Sequence, residues 1–234
     1  MCGRFVSATP PDELARYFGA EAPAEQLLEP SYNVAPTATV FTVVERANDR
    51  APDAEVSRQI ETMHWGLLPI WAKEKKFGNR MFNARCETLA EKNSFKPAFR
   101  KRRCIIPVDG FYEWMVVPSD DVEAAEQTKK PKKQPVFIRR GDGDPFAFAG
   151  LWERWRGPDR DGELLESCTI ITGSPNDKMA HYHHRMPVML PPDAWDTWLD
   201  PSLDDLETLA EFFVPAPSEL LEIHPVSTEV NNAR

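Results

Sequence analysis

Cysteine is scarce in this 234-residue chain: Cys2, Cys86, Cys104 and Cys168 are the four, and none sits in a Cys-x-x-Cys pair or a zinc-ligand spacing. That excludes a disulfide-held scaffold and a cysteine zinc site, and leaves free thiols in a cytoplasmic setting. Long apolar runs are missing too, since none approaches the roughly 20 residues that span a bilayer. Asp12, Glu13 and Arg16 interrupt the N-terminal stretch where a secretory signal would need an apolar run. No membrane partner is expected. Glycine, at 11 residues, is half as frequent as proline, at 22, which argues for rigid turns between short elements. Positive charge is in deficit, 28 Lys+Arg against 37 Asp+Glu for a net charge of -9. Taken as an average, that disfavours nucleic acid.

What is present reads as many strands and few helices. Val40 to Val44, Ile60 to His64, Ile105 to Val108, Val136 to Ile138, Phe146 to Trp152, Cys168 to Thr172 and Val188 to Leu190 are short apolar runs rich in Val, Ile and Phe. Thr9-Pro10-Pro11-Asp12-Glu13 predicts a capped short helix, and 87–93 and 193–199 predict two more. Ser202 is the expected N-cap of a further helix carrying Leu206, Leu209 and Phe213 on one face. Residues 31–36 read as an ordered loop and 45–57 as a hairpin or excursion. The segment 118–135 reads as a mobile loop within one domain spanning 1–228, and 229–234 as a C-terminal tail that frays from Val230 to Arg234. No βαβ periodicity or internal repeat appears. The expected class is α+β, a single domain of mainly antiparallel sheet with short peripheral helices.

The charge has a location. From Trp71 to Cys104 eleven basic residues face only Glu74, Glu87 and Glu91, a stretch of +8; from Leu190 to Arg234 ten acidic residues face one base, a stretch of -9. Basic residues interleaved with Trp71, Phe77, Phe82, Phe95 and Phe99 suit either a solvated face over core aromatics or a groove for single-stranded nucleic acid.

Met1-Cys2-Gly3-Arg4 is the most informative segment. Removal of the methionine leaves Cys2 with a free α-amine and a thiol, whose unperturbed pKa values of about 7.7–8.0 and 8.5 leave useful fractions of both nucleophiles near neutrality. Such a 1,2-aminothiol either attacks an acyl carbon with the amine as base or condenses with an aldehyde, the thiol closing the imine to a thiazolidine.

Eight blocks in order resemble the SOS response-associated peptidase (SRAP) family, which processes abasic sites in DNA. They are Cys2-Gly3-Arg4, Tyr32-Asn33-Val34-Ala35-Pro36, Trp65-Gly66-Leu67-Leu68-Pro69 and Asn83-Ala84-Arg85-Cys86-Glu87. Arg103-Cys104-Ile105-Ile106-Pro107, Asp109-Gly110-Phe111-Tyr112-Glu113-Trp114, Ala149-Gly150-Leu151-Trp152 and His183-His184-Arg185-Met186-Pro187-Val188 complete the set.

The resemblance implies a barrel-like SRAP fold that binds single-stranded DNA and joins its mature Cys2 covalently to the ring-opened sugar aldehyde. The product is a thiazolidine crosslink that shields the lesion, with Schiff-base lyase activity as a minor outcome. The peptidase name reflects autocatalytic Met1 removal or an inferred thiol-protease activity. On this resemblance Cys2, Asn83, Glu113 and His183 are the catalytic candidates. Glu113 moves protons, His183 protonates the opening sugar, and Asn83 holds the sugar or the thiazolidine. Arg4, Asn33, Trp65, Arg85, Trp114, Thr172 and Arg185 are the DNA-binding candidates, with Arg4 and Arg85 as phosphate clamps and Trp65 and Trp114 as stacking or core residues.

His184 stands where the family more usually has an acidic residue. The cluster His181, His183 and His184 has no matching cysteine or carboxylate ligand, so no metal is assigned and no cofactor is implied. The implied protein is monomeric, bacterial and cytoplasmic, on the nucleoid when bound to DNA.

Two other classes fit parts of the pattern. An N-terminal nucleophile hydrolase acting on an amide also begins Met-Cys-Gly but needs no basic groove. A non-enzymatic single-stranded DNA-binding module needs the groove but not Cys2.

Overall fold

Residues 2–23, 28–46, 56–117, 132–159 and 161–233 are described by the computed structural model. Among them the strands are, in chain order, β1 (Phe5–Ser7), β2 (Ser31–Val34), β3 (Thr39–Arg46), β4 (Ser57–Trp65), β5 (Asn83–Arg85) and β6 (Arg103–Val108). They continue with β7 (Gly110–Val116), β8 (Lys133–Arg140), β9 (Phe146–Trp155), β10 (Leu165–Gly173), β11 (Met186–Pro187) and β12 (Leu221–Pro225). One sheet runs β12-β8-β7-β1-β2. In the other, β10, β4, β3, β6 and β9 follow one another and β9 returns to pair with β10, closing the sheet into a barrel. The class is α+β with short peripheral helices, as the strand-rich pattern predicts.

Period-two alternation explains why the closed sheet serves two cores. Phe41 and Val43 on β3, Ala147, Ala149 and Leu151 on β9 and Ile171 on β10 pack with helices Pro11–Phe18, Lys96–Lys101 and Trp195–Leu199. Val40 and Val44, Phe146 and Phe148, Cys168 and Ile170 pack instead with Phe5, Phe111, Val136 and Ile138 of the first sheet. Gly150 has no room for a side chain, because a Cβ there would lie 2.8 Å from the Cys104 sulfur and 3.1 Å from the Thr169 carbonyl oxygen.

Several local readings are corrected. Ser31–Val34 is a strand rather than a loop, paired with β1. The helix expected over 87–93 is only a 3-10 turn at Cys86–Thr88; the helix starts at Lys96, with Pro97 in its first turn where a missing N–H costs nothing. Thr9 does not cap helix Pro11–Phe18, for its hydroxyl is bonded to Asp109 Oδ1 at 2.5 Å. Asp205, not Ser202, caps helix Leu206–Ala210 by accepting from the Glu207 N–H. Of the strand expected over 188–190, the continuous ladder lies just before it at Met186–Pro187, while 188–190 joins β9 through the Met189–Phe148 bridge and its flanking hydrogen bonds. Lys133–Pro135, assigned to the loop 118–135, begin β8; 118–131 lie outside the described residues, as do 47–55 of the expected hairpin. β10 also runs parallel to β4 and β5, a pairing the local pattern does not announce.

The tail is also corrected. Thr228–Asn231 forms a 3-10 turn docked on the protein surface rather than a frayed end. No helix among the described residues is long and apolar enough to cross a membrane.

Candidate active site

Strand pairing assembles the site. β1 lies antiparallel to β7 with Phe5 opposite Phe111, and the Tyr112 N–H donates to the Arg4 carbonyl at 3.0 Å. Continuing that register past Phe5 brings the chain before β1 alongside Glu113. Cys2 is fully buried there. β5 runs parallel to β10 with Asn83 opposite Ile170, and the Asn83 side-chain amide donates to the Cys2 carbonyl at 2.7 Å. At the end of β10, β11 pairs through Gly173 and Met186, which sets the preceding His183-His184-Arg185 turn at the same end of the sheet.

The electrostatics tie these groups together. Burial first, and then the negative charge of Glu113, push the Cys2 thiol far above its ordinary value, so the sulfur is held as S–H. Burial lowers the His183 imidazole below the ordinary histidine value against the opposing charge of Glu113. Its Nδ1 lies 2.9 Å from the Arg185 backbone nitrogen and 3.1 Å from the Arg185 carbonyl oxygen, so the Arg185 backbone offers a partner to either tautomer and fixes the ring in place. The His184 ring stacks on His183 with centroids 4.3 Å apart. Glu113 itself is 5 % exposed. Asn83 Oδ1 is buried without a hydrogen-bond partner, an acceptor left for a ligand. Cys2, Asn83, Glu113 and His183 are thus brought together. No group of three or more His, Cys, Asp or Glu positioned to hold a metal occurs among the described residues.

The seven DNA-binding candidates divide. Arg85 is exposed on β5. Arg4, just before β1, forms a second cluster with Asn33 on β2 and Trp114 on β7, Arg4 Nη1 donating to Asn33 Oδ1 at 2.9 Å. Two candidates are corrected. Trp65 is fully buried, its ring 4.8 Å from Phe5 and its indole N–H bonded to the Phe82 carbonyl at 2.9 Å, so it has no face to stack on a base. Thr172 is fully buried too, with its hydroxyl 3.3 Å from the Ala84 carbonyl. Arg185 lies beside the site but is already engaged by Glu87, one bond being 2.8 Å, and by the Thr172 carbonyl at 2.5 Å. Those bonds hold the Glu87 carboxyl down at about 2.

The +8 stretch is likewise only partly a surface. Lys73, Lys75, Lys76 and Arg80 are exposed, beside a half-exposed Trp71 whose ring meets Phe77 edge-on. Phe95 and Phe99 belong to the core. Arg103 is buried, donating to the carbonyls of Trp198, Phe99, Arg100, Leu203 and Asp200. Arg102 pairs with Glu153 at 2.6 Å.

Residues 230–232 were missed altogether. Their contacts to Arg4 and Asn33 join positions about two hundred apart, and no local pattern marks them.

Comparison with known proteins agrees with the motif order. The family model for SOS response associated peptidase (SRAP) matches residues 1–233. Abasic site processing protein YoqW of Bacillus subtilis (strain 168) is 37 % identical over 235 residues, covering all of this chain and 96 % of that protein. Abasic site processing protein HMCES of Pongo abelii is 32 % identical over 273 residues, covering all of this chain and 73 % of that protein. A crystal structure of a Bacteroides thetaiotaomicron protein superposes with a TM-score of 0.80 at 25 % identity, over 97 % of this chain and 93 % of the other.

Proposed function

The chain belongs to the SOS response associated peptidase family, and from that premise we propose that it processes abasic sites in single-stranded DNA by a covalent bond from its mature Cys2. Hydrolysis of the Met1–Cys2 peptide bond, consuming one water, frees the α-amine. The amine adds to the aldehyde carbon of the ring-opened deoxyribose, and loss of water gives an imine. Sγ then bonds to the imine carbon while the thiol proton passes to the nitrogen. The thiazolidine therefore forms with one C–N bond, one C–S bond and the net release of one water.

The convergence of Cys2, Asn83, Glu113 and His183 carries this reading. A thiol held protonated by burial and by Glu113 is a poor first nucleophile, so the amine attacks first. The sulfur becomes reactive when Glu113 takes its proton and relays it to the imine nitrogen. His183, held by the Arg185 backbone beside Glu113, serves as general acid to the sugar oxygen as the ring opens. Asn83 fixes Cys2 through its carbonyl and offers Oδ1 to the amine or a sugar hydroxyl. Arg4 and Arg85 hold phosphates, and Asn33 and Trp114 flank Arg4. Where ring closure fails, the same imine permits β-elimination, a minor lyase outcome. The protein acts as a monomer in the bacterial cytoplasm, its own terminus supplying both nucleophiles.

Mature protein mixed with single-stranded oligonucleotides, with and without one abasic site, tests the proposal. A conjugate that survives denaturation is expected only with the abasic strand and not with Cys2→Ala. Full, stable crosslinking by Cys2→Ala would overturn it, and amide hydrolysis without crosslinking would select the hydrolase class instead.

A further inference from the structure

Arg4, Asn33 and Trp114 are assigned to DNA, yet in this structure all three donate to one segment of the same chain. Arg4 Nη1 bonds to the Val230 carbonyl at 3.0 Å, and Nη2 lies 3.4 Å from the Asn231 carbonyl. The Asn33 amide donates to the Val230 and Asn232 carbonyls at 3.0 and 2.9 Å. The Trp114 indole N–H donates to Asn231 Oδ1 at 2.6 Å. A guanidinium from the residue before β1, an amide from β2 and an indole from β7 thus converge on consecutive residues.

The geometry points to a displaceable strap: residues 227–232 cover part of the DNA-binding surface in the free protein and leave it when a strand binds. This rests on the reading of Arg4, Asn33 and Trp114 as DNA ligands, and it adds a regulation of that site. The donors cannot serve both partners at once. Arg4 Nη1 already has two acceptors, Asn33 Oδ1 and the Val230 carbonyl, and the Asn33 amide has two carbonyls.

The strap is held by the kind of contact a phosphate displaces. All its acceptors on these donors are neutral, whereas a phosphate oxygen makes charge-assisted bonds roughly twice as strong, in bidentate form with Arg. None of its residues Thr228–Asn231 is buried, so no apolar core anchors it. The point of release is also marked. β12 pairs with β8 up to Pro225, and Val226 is the last residue tied to that sheet, its N–H on the Pro135 carbonyl at 3.0 Å and its own carbonyl on the Gln134 amide at 2.9 Å. Beyond Val226 the segment is held by the Arg4, Asn33 and Trp114 contacts and by its local 3-10 turn, which also lies against β8.

The consequence is a threshold. Undamaged strands must expel the strap for each encounter, which weakens their hold, while a lesion-bearing strand makes the exchange once and is then fixed covalently.

Deleting residues 227–234 removes Glu229 and Arg234 together, so the formal side-chain charge is unchanged and altered affinity is not a net-charge effect. Binding of a lesion-free single-stranded oligonucleotide, followed by fluorescence anisotropy at fixed salt, is expected to tighten about tenfold in the deleted chain. Arg4→Ala should weaken binding in both backgrounds. Equal or weaker binding by the deleted chain, with Arg4→Ala still harmful, would overturn the strap and leave the DNA reading standing. No binding by either chain would overturn both. Should the deleted chain not fold, hydrogen exchange over 227–232 in the full chain decides: saturating oligonucleotide should speed it, and unchanged or slower exchange would refute displacement.

Discussion

Asn83 offers the sharpest test of how Cys2 is positioned. Its amide donates to the Cys2 carbonyl at 2.7 Å, and its Oδ1 is buried and free for a ligand. In Asn83→Ala the carbonyl loses its donor. A net hydrogen bond is worth about 1 kcal/mol, and a partly buried orphan costs about 1–3 kcal/mol, so about 2 kcal/mol is a reasonable central loss of positioning. At about 1.4 kcal/mol per decade, crosslinking should slow by about thirtyfold if the lost contact acts fully in the transition state. Asn83→Asp should be worse than Ala although it is closer in shape. It sets a carboxylate oxygen against the Cys2 carbonyl and adds a second negative charge to the one Glu113 already places beside the thiol. That charge raises the thiol further and opposes its ionisation. Single-turnover conjugate formation on an abasic oligonucleotide, quenched and resolved under denaturing conditions, reads both variants. An Asp variant as fast as wild type, or faster than Ala, would refute the assigned hydrogen bond and the electrostatic argument together.

Arg103→Met should destabilise the fold by about 3–5 kcal/mol in urea titration, because it orphans the Phe99 and Trp198 carbonyls among others; a loss below about 1 kcal/mol would contradict that network. Trp65→Ala should cost a similar amount by leaving a cavity beside Phe5, while the salt dependence of DNA binding stays unchanged; a flatter slope would put Trp65 back at the interface. Burial places the His183 pKa below its unfolded value near 6.5, so the folded state resists its protonation. Its contribution to stability is complete above that value and is lost as pH falls toward the folded value. Urea midpoints at pH 7.5 and pH 5 should therefore drop less in His183→Gln than in wild type, and equal drops would remove His183 from the acid limb.

Much of the fold was readable because alternating apolar residues are a local signal. Phe41 and Val43 against Val40 and Val44, or Phe146 and Phe148 against Ala147 and Ala149, declare a strand buried on both faces wherever it ends up. Caps were less readable. Thr9 and Ser202 have the right chemistry in the right place, but Asp109, in the turn between β6 and β7, takes the Thr9 hydroxyl, and Asp205 lies nearer its helix. The four candidate site residues were legible as residue types in motif order, and their meeting depends on three strand pairings, β1 with β7, β5 with β10 and β10 with β11.

The basic stretch shows where reading by type stops. Arg103 and Arg80 look alike in the chain, yet one is buried on five carbonyls and the other is exposed. Which outcome a residue meets depends on partners roughly a hundred positions away, such as Trp198, and strand alternation cannot name them. The sequence by itself determined the strand-rich class, the place of Cys2 beside Gly3 and Arg4, and the acidic and basic stretches, since these follow from composition and short-range pattern. Only the tertiary structure decided that Trp65 and Thr172 face the interior, that Arg185 belongs first to Glu87, and that the end of the chain lies across Arg4. Each of those is a choice among competing long-range hydrogen-bond partners, and that choice is made by the geometry of the closed sheet.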